Sequence, residues 1–101
     1  MAAMRRLELI IERMAVKRAG NVFEEAGLTG YTVTSAMAGY GRGQRWTRDG
    51  DLSTAQDMVV MVTIGDAEKI GRVLKDLHRL LDAHIGVLSV GEVEVLRPER
   101  F

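Results

Sequence analysis

The chain has 101 residues, which is the size of one small domain. Its hydrophobic share of 47% is that of an ordinary globular protein and argues against a disordered chain. Fourteen basic and fourteen acidic residues cancel, which argues against a protein whose main role is to bind nucleic acid or an anionic membrane. The absence of cysteine excludes disulfides, thiolate metal sites and a cysteine nucleophile. No stretch approaches the ~20 apolar residues of a membrane span and no signal peptide is evident, so we expect a cytoplasmic protein.

The first part of the chain predicts a strand, a helix and a second strand. Residues 7–12 largely alternate between apolar and polar, which is the period of a half-buried strand. Apolar residues then recur at three- and four-residue steps over 16–26, and Gly27 follows where a helix commonly ends in glycine. The β-branched residues in 31–37 predict the second strand.

A long segment without apolar periodicity comes next, from Ala38 to about Thr54. Four of the eleven glycines lie between Gly39 and Gly50, and we interpret the segment as a loop without regular structure. Glycines let the backbone approach a ligand and expose N–H groups to an anion, while arginine suits phosphate. The local pattern leaves two interpretations open, a site for nucleotide phosphates or a solvated glycine-rich hairpin.

The second half predicts another strand, helix and strand. The apolar run 58–64 is typical of a strand buried on both faces. Asp66 is placed to cap a helix whose apolar face continues to Leu81. A short loop at 82–86 leads to a strand over 87–96, which Pro98 closes.

This order of elements predicts an α+β fold, the ferredoxin-like βαββαβ sandwich with a four-stranded antiparallel sheet and both helices on one face. The other face of the sheet would then be bare. Because the third strand is apolar at nearly every position and the chain has no further helix, another copy should cover that face. We therefore expect a homo-oligomer.

Two motifs resemble the PII signalling family. Residues 27–34 read Gly-Leu-Thr-Gly-Tyr-Thr-Val-Thr, and residues 39–42 read Gly-Tyr-Gly-Arg. They look like the strand and the glycine–arginine segment at the base of that family's long T-loop. The resemblance covers nearly the whole chain from Leu7 to Phe101. Residues 30–33 and 85–96 look closest to the PII-like branch associated with bicarbonate transporters and carboxysomes.

The resemblance implies a single PII-like domain over 1–101, with a T-loop at about 38–55 and a B-loop at about 82–88. It implies a homotrimer that binds ADP, AMP or ATP in clefts between copies and regulates a membrane transporter for inorganic carbon through its T-loop. We accordingly expect a signal-transduction protein and not an enzyme, with no resident cofactor or metal and no nucleic-acid partner. The nucleotide-binding residues implied are Thr32, Gly39, Gly41, Arg42, Gly43, Gln44, Arg45, Thr63, Gly86, Val87, Leu88, Arg97 and Arg100.

Other side chains are candidates for further contacts. Bicarbonate is implied as a second ligand, and Arg42 and Arg45 could hold this oxyanion. Trp46 is either a contact for a partner or packed on its own trimer. His84 could reach a phosphate or a neighbouring copy, but a histidine at a helix end is the favoured interpretation. His78 is interpreted as an ordinary surface residue.

Departures from the nitrogen-regulatory PII proteins leave alternatives open. The predicted B-loop reads Val87-Leu88-Ser89 where those proteins carry a glycine–lysine pair, and we expect this difference to favour ADP or AMP over ATP. A nitrogen regulator sensing ATP and 2-oxoglutarate is the main alternative. Those regulators carry a tyrosine in the outer half of the T-loop and a loop lysine at the 2-oxoglutarate site, and we find no counterpart of either in this sequence. An acyl phosphatase needs a glycine-containing phosphate cradle, which residues 13–16 do not provide. A metal-tolerance protein of the same fold is disfavoured by the scarcity of metal-binding side chains.

Overall fold

The computed structural model describes residues 2–41, 44–47 and 57–101. The strands are β1 (Ala2–Glu12), β2 (Tyr31–Ser35), β3 (Ala38–Gly41), β4 (Gln44–Thr47), β5 (Met58–Gly65) and β6 (Gly86–Val95). The helices are α1 (Val16–Glu25) and α2 (Ala67–Ala83), and short 3-10 turns cover Arg13–Ala15 and Pro98–Arg100.

Four strands form one antiparallel sheet in the order β2-β5-β1-β6. Leu7 in β1 lies opposite Thr63 in β5 and Val90 in β6, and Thr63 lies opposite Tyr31 in β2. Since α1 connects β1 to β2 and α2 connects β5 to β6, the chain forms the ferredoxin-like βαββαβ sandwich. The predicted fold class is confirmed.

The core lies between the two helices and one face of the sheet. Leu7, Leu9 and Ile11 are fully buried, as expected when alternate residues of a strand point to the same side. Burying such a side chain stabilises the fold by about 1.5–3 kcal/mol. The helices contribute Ala19, Phe23, Ile70, Val73 and Leu77 to this core.

The end of α1 is set by Gly27, whose φ of 88° is in the left-handed region that favours glycine. The N–H of Gly27 donates to the carbonyl of Glu24, and the N–H of Leu28 donates to the carbonyl of Phe23. These two bonds are those of a Schellman motif, which satisfies carbonyls that have no partner inside the helix. The predicted glycine at the helix end is confirmed.

The connection between α2 and β6 is shorter than the sequence predicts. The helix begins after Asp66, whose carboxylate accepts from the N–H of Lys69, as expected, but it continues to Ala83. Because β6 begins at Gly86, only residues 84–85 connect the two elements. The predicted loop at 82–86 is wrong at both ends, since the last helical residues lie off the apolar stripe from which the helix was predicted.

The segment between β2 and β5 contains regular structure that the sequence did not predict. Strands β3 and β4 pair antiparallel, with Gly39 opposite Trp46 and Tyr40 opposite Arg45. The interpretation as a loop without regular structure is therefore wrong for residues 38–41 and 44–47, while the hairpin interpretation agrees with this pairing. Apolar periodicity arises where an element is buried against a core. A two-stranded pair such as β3 and β4 is held by backbone hydrogen bonds, which impose no such pattern on the sequence. Residues 48–56 lie outside the described part.

Among the helices that the structure describes, none has the length and the apolar character needed to cross a membrane.

Candidate functional site

Several of the predicted nucleotide-binding residues lie at opposite edges of the sheet. Thr32 is in β2, one outer strand, and residues 86–88 begin β6, the other outer strand. With β5 and β1 between them and ~4.8 Å between neighbouring strands, the two edges are about 14 Å apart. Residues of both edges can therefore contact the same phosphate group only where two copies meet.

The face of the sheet opposite the helices is open in a single chain. Thr34, Val60, Ile10 and Val87 form one row across the four strands of the sheet. Val87 is 59% exposed, and Val60 and Ile10 are half-buried. The row is apolar at three of its four positions, and an exposed apolar row of this kind favours contact with another protein molecule.

The two threonines among the implied nucleotide-binding residues lie on different faces of the sheet. Thr63 is buried in the helix side, where its hydroxyl donates to the carbonyl of Gly30 at 2.7 Å. Thr32 is exposed and lies opposite Val62 on the open face. Because the hydroxyl hydrogen of Thr63 is already used, a contact of Thr63 with adenine would have to use its methyl group or a lone pair. The role of each threonine at a nucleotide stays a prediction.

Arg13 holds together the two ends of the segment 36–56, which is called the connecting segment below. Its Nε donates to Oδ2 of Asp57 at 2.6 Å, and its Nη2 donates to Oγ of Ser35 at 3.1 Å. The backbone N–H of Arg13 also donates to the carbonyl of Asp57 at 2.9 Å. Bonds from a guanidinium to a carboxylate are stronger than neutral ones, so Arg13 fixes where this segment leaves and rejoins the sheet. This role could not be predicted from the sequence because Asp57 is 44 residues away along the chain.

Glu12 holds the connection between α2 and β6. Its carboxylate is buried, with the residue 7% exposed, and Oε1 accepts from the N–H of Ile85 at 2.8 Å. The same oxygen lies 3.4 Å from Nδ1 of His84. A buried carboxylate needs such donors to offset the loss of water. His84 is also the residue at which α2 ends, in agreement with the helix-end interpretation.

The C-terminal turn crosses to the β2 edge. The hydroxyl of Thr29 donates to the carbonyl of Arg100 at 3.4 Å, which is a long and therefore weak bond. It shows that Arg100 lies beside the connection between α1 and β2, three residues before Thr32. Arg97 and Arg100 are both exposed, and the bond from Thr29 places Arg100 at this edge.

The glycine–arginine segment is described only in part. Gly39 and Gly41 are in β3, and Gln44, Arg45 and Trp46 are in β4. Arg42 and Gly43 lie outside the described residues, as do the side chains of β4. The assignments of Arg42 and Arg45 to phosphate or bicarbonate, and of Trp46 to a partner, therefore stay predictions.

Within residues 2–41, 44–47 and 57–101, no three histidine, cysteine, aspartate or glutamate side chains come close enough together to hold a metal ion.

The sequence profile of the family described as "Nitrogen regulatory protein P-II" matches residues 4–100. The chain belongs to the PII family. The resemblance to this family predicted from the sequence is thereby confirmed. PII proteins are signalling regulators that assemble as trimers and interact with partner proteins. A search of curated proteins found no significant match.

Solved structures of PII-like proteins resemble this PII protein over nearly its whole length. CPII of Thiomonas intermedia K12, bound to ADP and bicarbonate, is 26% identical with a TM-score of 0.84, covering 99% of this chain and 95% of that one. Another CPII structure, bound to ADP, AMP and bicarbonate, has a TM-score of 0.88 at 24% identity and covers 99% and 94%. A PII-like signalling protein of Thermus thermophilus is 25% identical with a TM-score of 0.80, covering 99% and 96%.

Proposed function

We propose that this PII protein binds ADP or AMP in clefts between three copies of the chain, with bicarbonate as a second ligand. Nucleotide occupancy then controls the contact of residues 38–55 with a membrane transporter for inorganic carbon. The protein acts as a regulator and not as an enzyme. The observation that carries this proposal is the similarity to CPII in a structure bound to ADP and bicarbonate, which extends over 99% of this chain.

The distribution of the candidate residues supports a site shared between copies. The β2 edge presents Thr32 and, through the C-terminal turn, Arg100. The β6 edge presents Val87 and Leu88. A cyclic trimer brings the first edge of one copy against the second edge of the next, and it also covers the open apolar face. The proposed trimer therefore both completes the cleft shared between copies and covers the open face of the sheet.

The charges at the site favour a nucleotide with few phosphates. The start of β6 reads Val87-Leu88-Ser89 and contributes no cation. The remaining cations are Arg42 and Arg45 in the glycine–arginine segment and Arg97 and Arg100 at the C-terminus. Each added phosphate brings a further charge that needs an arginine fork or backbone N–H groups. We therefore expect ADP or AMP to bind more tightly than ATP.

Calorimetric titration with AMP, ADP and ATP, each with and without bicarbonate, tests the ligand. We expect ADP or AMP to bind with roughly micromolar affinity, about 8 kcal/mol, and more tightly when bicarbonate is present. Heat only with ATP together with 2-oxoglutarate would place the protein among the nitrogen regulators. The absence of heat with every ligand would remove the proposed function and leave the fold unaffected.

The connecting segment contains three arginines, Arg42, Arg45 and Arg48, which supply matched variants. Arg42→Ala and Arg45→Ala should each weaken ADP binding by about tenfold, because a charged hydrogen bond is lost, or abolish the strengthening of ADP binding by bicarbonate. Arg48→Ala removes the same side chain from a position to which we assign no ligand. Equal losses in all three variants would indicate general charge attraction without a built anion site.

The transporter can be tested separately from the ligand. Membranes from cells with and without a bicarbonate transporter are sedimented with the purified protein, in the presence and absence of ADP. We expect binding that requires the transporter, changes with ADP and is reduced by Trp46→Ala. Nucleotide binding without any transporter-dependent sedimentation would support the ligand and overturn the partner.

A further inference from the structure

The junction between β1 and α1 contacts two other connections of the chain. The side chain of Arg13 bonds to Ser35 and Asp57, which flank the connecting segment. The side chain of its neighbour Glu12 accepts from the N–H of Ile85, in the connection between α2 and β6. Two consecutive residues thus bond in opposite directions along the end of the sheet, across β5 to β2 on one side and to β6 on the other.

We propose that Glu12 and Arg13 are positioning residues that couple the ends of the connecting segment to the connection between α2 and β6. A displacement at Ser35 or Asp57 is transmitted through Arg13 and Glu12 to His84 and Ile85. The biological consequence of this coupling rests on the proposed function, whereas the coupling itself is a property of a single chain.

The bonds at this junction leave its two residues little freedom to move independently. Arg13 is held to Asp57 by both its side chain and its backbone N–H. Glu12 is 7% exposed, so little water can reach its carboxylate to replace the N–H of Ile85. A planar peptide joins the two residues and keeps their Cα atoms ~3.8 Å apart. A shift of the Arg13 backbone therefore displaces Glu12 or strains its buried hydrogen bond, and losing that bond is costly.

In the proposed trimer the two coupled connections of one chain line different clefts. The connecting segment leaves from β2 at one edge, and residues 84–85 precede β6 at the other edge. The coupling would then join neighbouring clefts, so that a nucleotide in one cleft changes the affinity of the next. By linkage this change is reciprocal.

The coupling itself is tested by amide hydrogen exchange without any nucleotide. Arg13→Gln and Asp57→Asn each break the charged bond at the ends of the connecting segment. We expect exchange of the Ile85 amide to become roughly tenfold faster in both, the size expected for one weakened hydrogen bond. Arg72→Gln is the matched control, since Arg72 also bonds to a carboxylate, that of Glu68, and lies near the start of α2, away from both the junction and Ile85 in sequence. Faster exchange confined to residues near 35 and 57 would overturn the proposal.

The reverse experiment perturbs the bond to the connection between α2 and β6 and measures exchange at an end of the connecting segment. Glu12→Gln keeps a side-chain oxygen but removes the charge that faces His84. The amide of Ala36, which donates to the carbonyl of Met58 at 3.0 Å, should then exchange several-fold faster. An unchanged Ala36 amide would contradict a reciprocal link. If Arg13→Gln fails to fold, Arg13→Lys retains the charge but lacks the planar fork that reaches two acceptors, and the same exchange at Ile85 is measured.

Stepwise titration with ADP tests the consequence for the assembly. The wild-type protein should show unequal stepwise affinities for ADP, and Arg13→Lys should bring them several-fold closer to the values for independent sites. Independent sites in the wild type, or unchanged inequality in the variant, would overturn the link between clefts. A wild type that binds no ADP would overturn the proposed function, and the exchange experiment would still decide whether the coupling exists.

Discussion

Gly86 lies directly against the backbone of Ile10. A methyl group on Gly86 would come 2.7 Å from the carbonyl oxygen of Ile10 and 2.8 Å from a methyl carbon of Leu81. Both distances are shorter than real contacts allow, and the first atom belongs to a strand that cannot turn away. The start of β6 therefore packs this closely against β1 because residue 86 has no side chain.

The first prediction concerns this contact. Gly86→Ala should lower the free energy of unfolding by about 1–3 kcal/mol because the added methyl overfills the site. Gly71→Ala is the matched control, because nothing lies within 4 Å of a methyl there and the residue is exposed in the interior of α2. It should raise the stability by up to ~1 kcal/mol through helix propensity. Urea denaturation at fixed protein concentration measures both, and equal effects of the two variants would contradict the geometry.

The second prediction concerns the hydroxyl of Thr63. Thr63→Val removes the donor to Gly30 and leaves a carbonyl without its partner, which should cost about 1–3 kcal/mol of stability. Thr63→Ser retains the hydroxyl and should recover most of the part lost to the hydrogen bond. The midpoint of urea unfolding distinguishes them. A valine variant as stable as the wild type would mean that this hydrogen bond contributes nothing.

The third prediction concerns the open face of the sheet. Val60→Glu places a charge in the middle of the apolar row and should convert the oligomer to single chains, because a charge buried between copies has no partner. Light scattering after size-exclusion chromatography measures the mass. Lys75→Glu, on α2, introduces the same side chain on an exposed position and should leave the mass unchanged. An oligomer that survives Val60→Glu would show that copies meet elsewhere.

The fourth prediction concerns the start of α2. Asp66→Ala removes the acceptor for the N–H of Lys69, 2.8 Å away, and should cost about 1 kcal/mol. Asp66→Asn keeps an oxygen acceptor and should cost clearly less. Thermal or urea unfolding measures the difference. A penalty as large for asparagine as for alanine would show that the charge matters at this end and the hydrogen bond does not.

The elements that bury an apolar face were predictable from the sequence. The strand at 58–64 and the helix that starts after Asp66 were found because burial against a core imposes a period on the apolar residues. The strands β3 and β4 could not be located by apolar periodicity, because their pairing is between backbones, and a glycine-rich hairpin was only one of two interpretations that the local pattern left open. The extension of α2 to Ala83 was missed for a related reason, since its last residues are exposed.

The candidate site was predictable only where a motif carried it. The glycine–arginine segment and Thr32 came from the resemblance to a family. The match over residues 4–100 confirms the family, and the roles of these residues stay predictions. Arg13 and Glu12 belong to no motif, and their partners lie 44 and 73 residues away in the chain. Contacts of this kind arise from topology, because the sheet order brings distant ends together, and local sequence contains no signal for them.

The placement of the candidate residues on opposite edges of the sheet has a genetic consequence in the proposed trimer. A chain defective only at its β2 edge and a chain defective only at its β6 edge would each fail when assembled alone. In a mixed trimer, the intact β2 edge of one chain can face the intact β6 edge of the other and restore a functional cleft. Two alleles of this protein, each inactive by itself, should therefore complement one another when produced in the same cell.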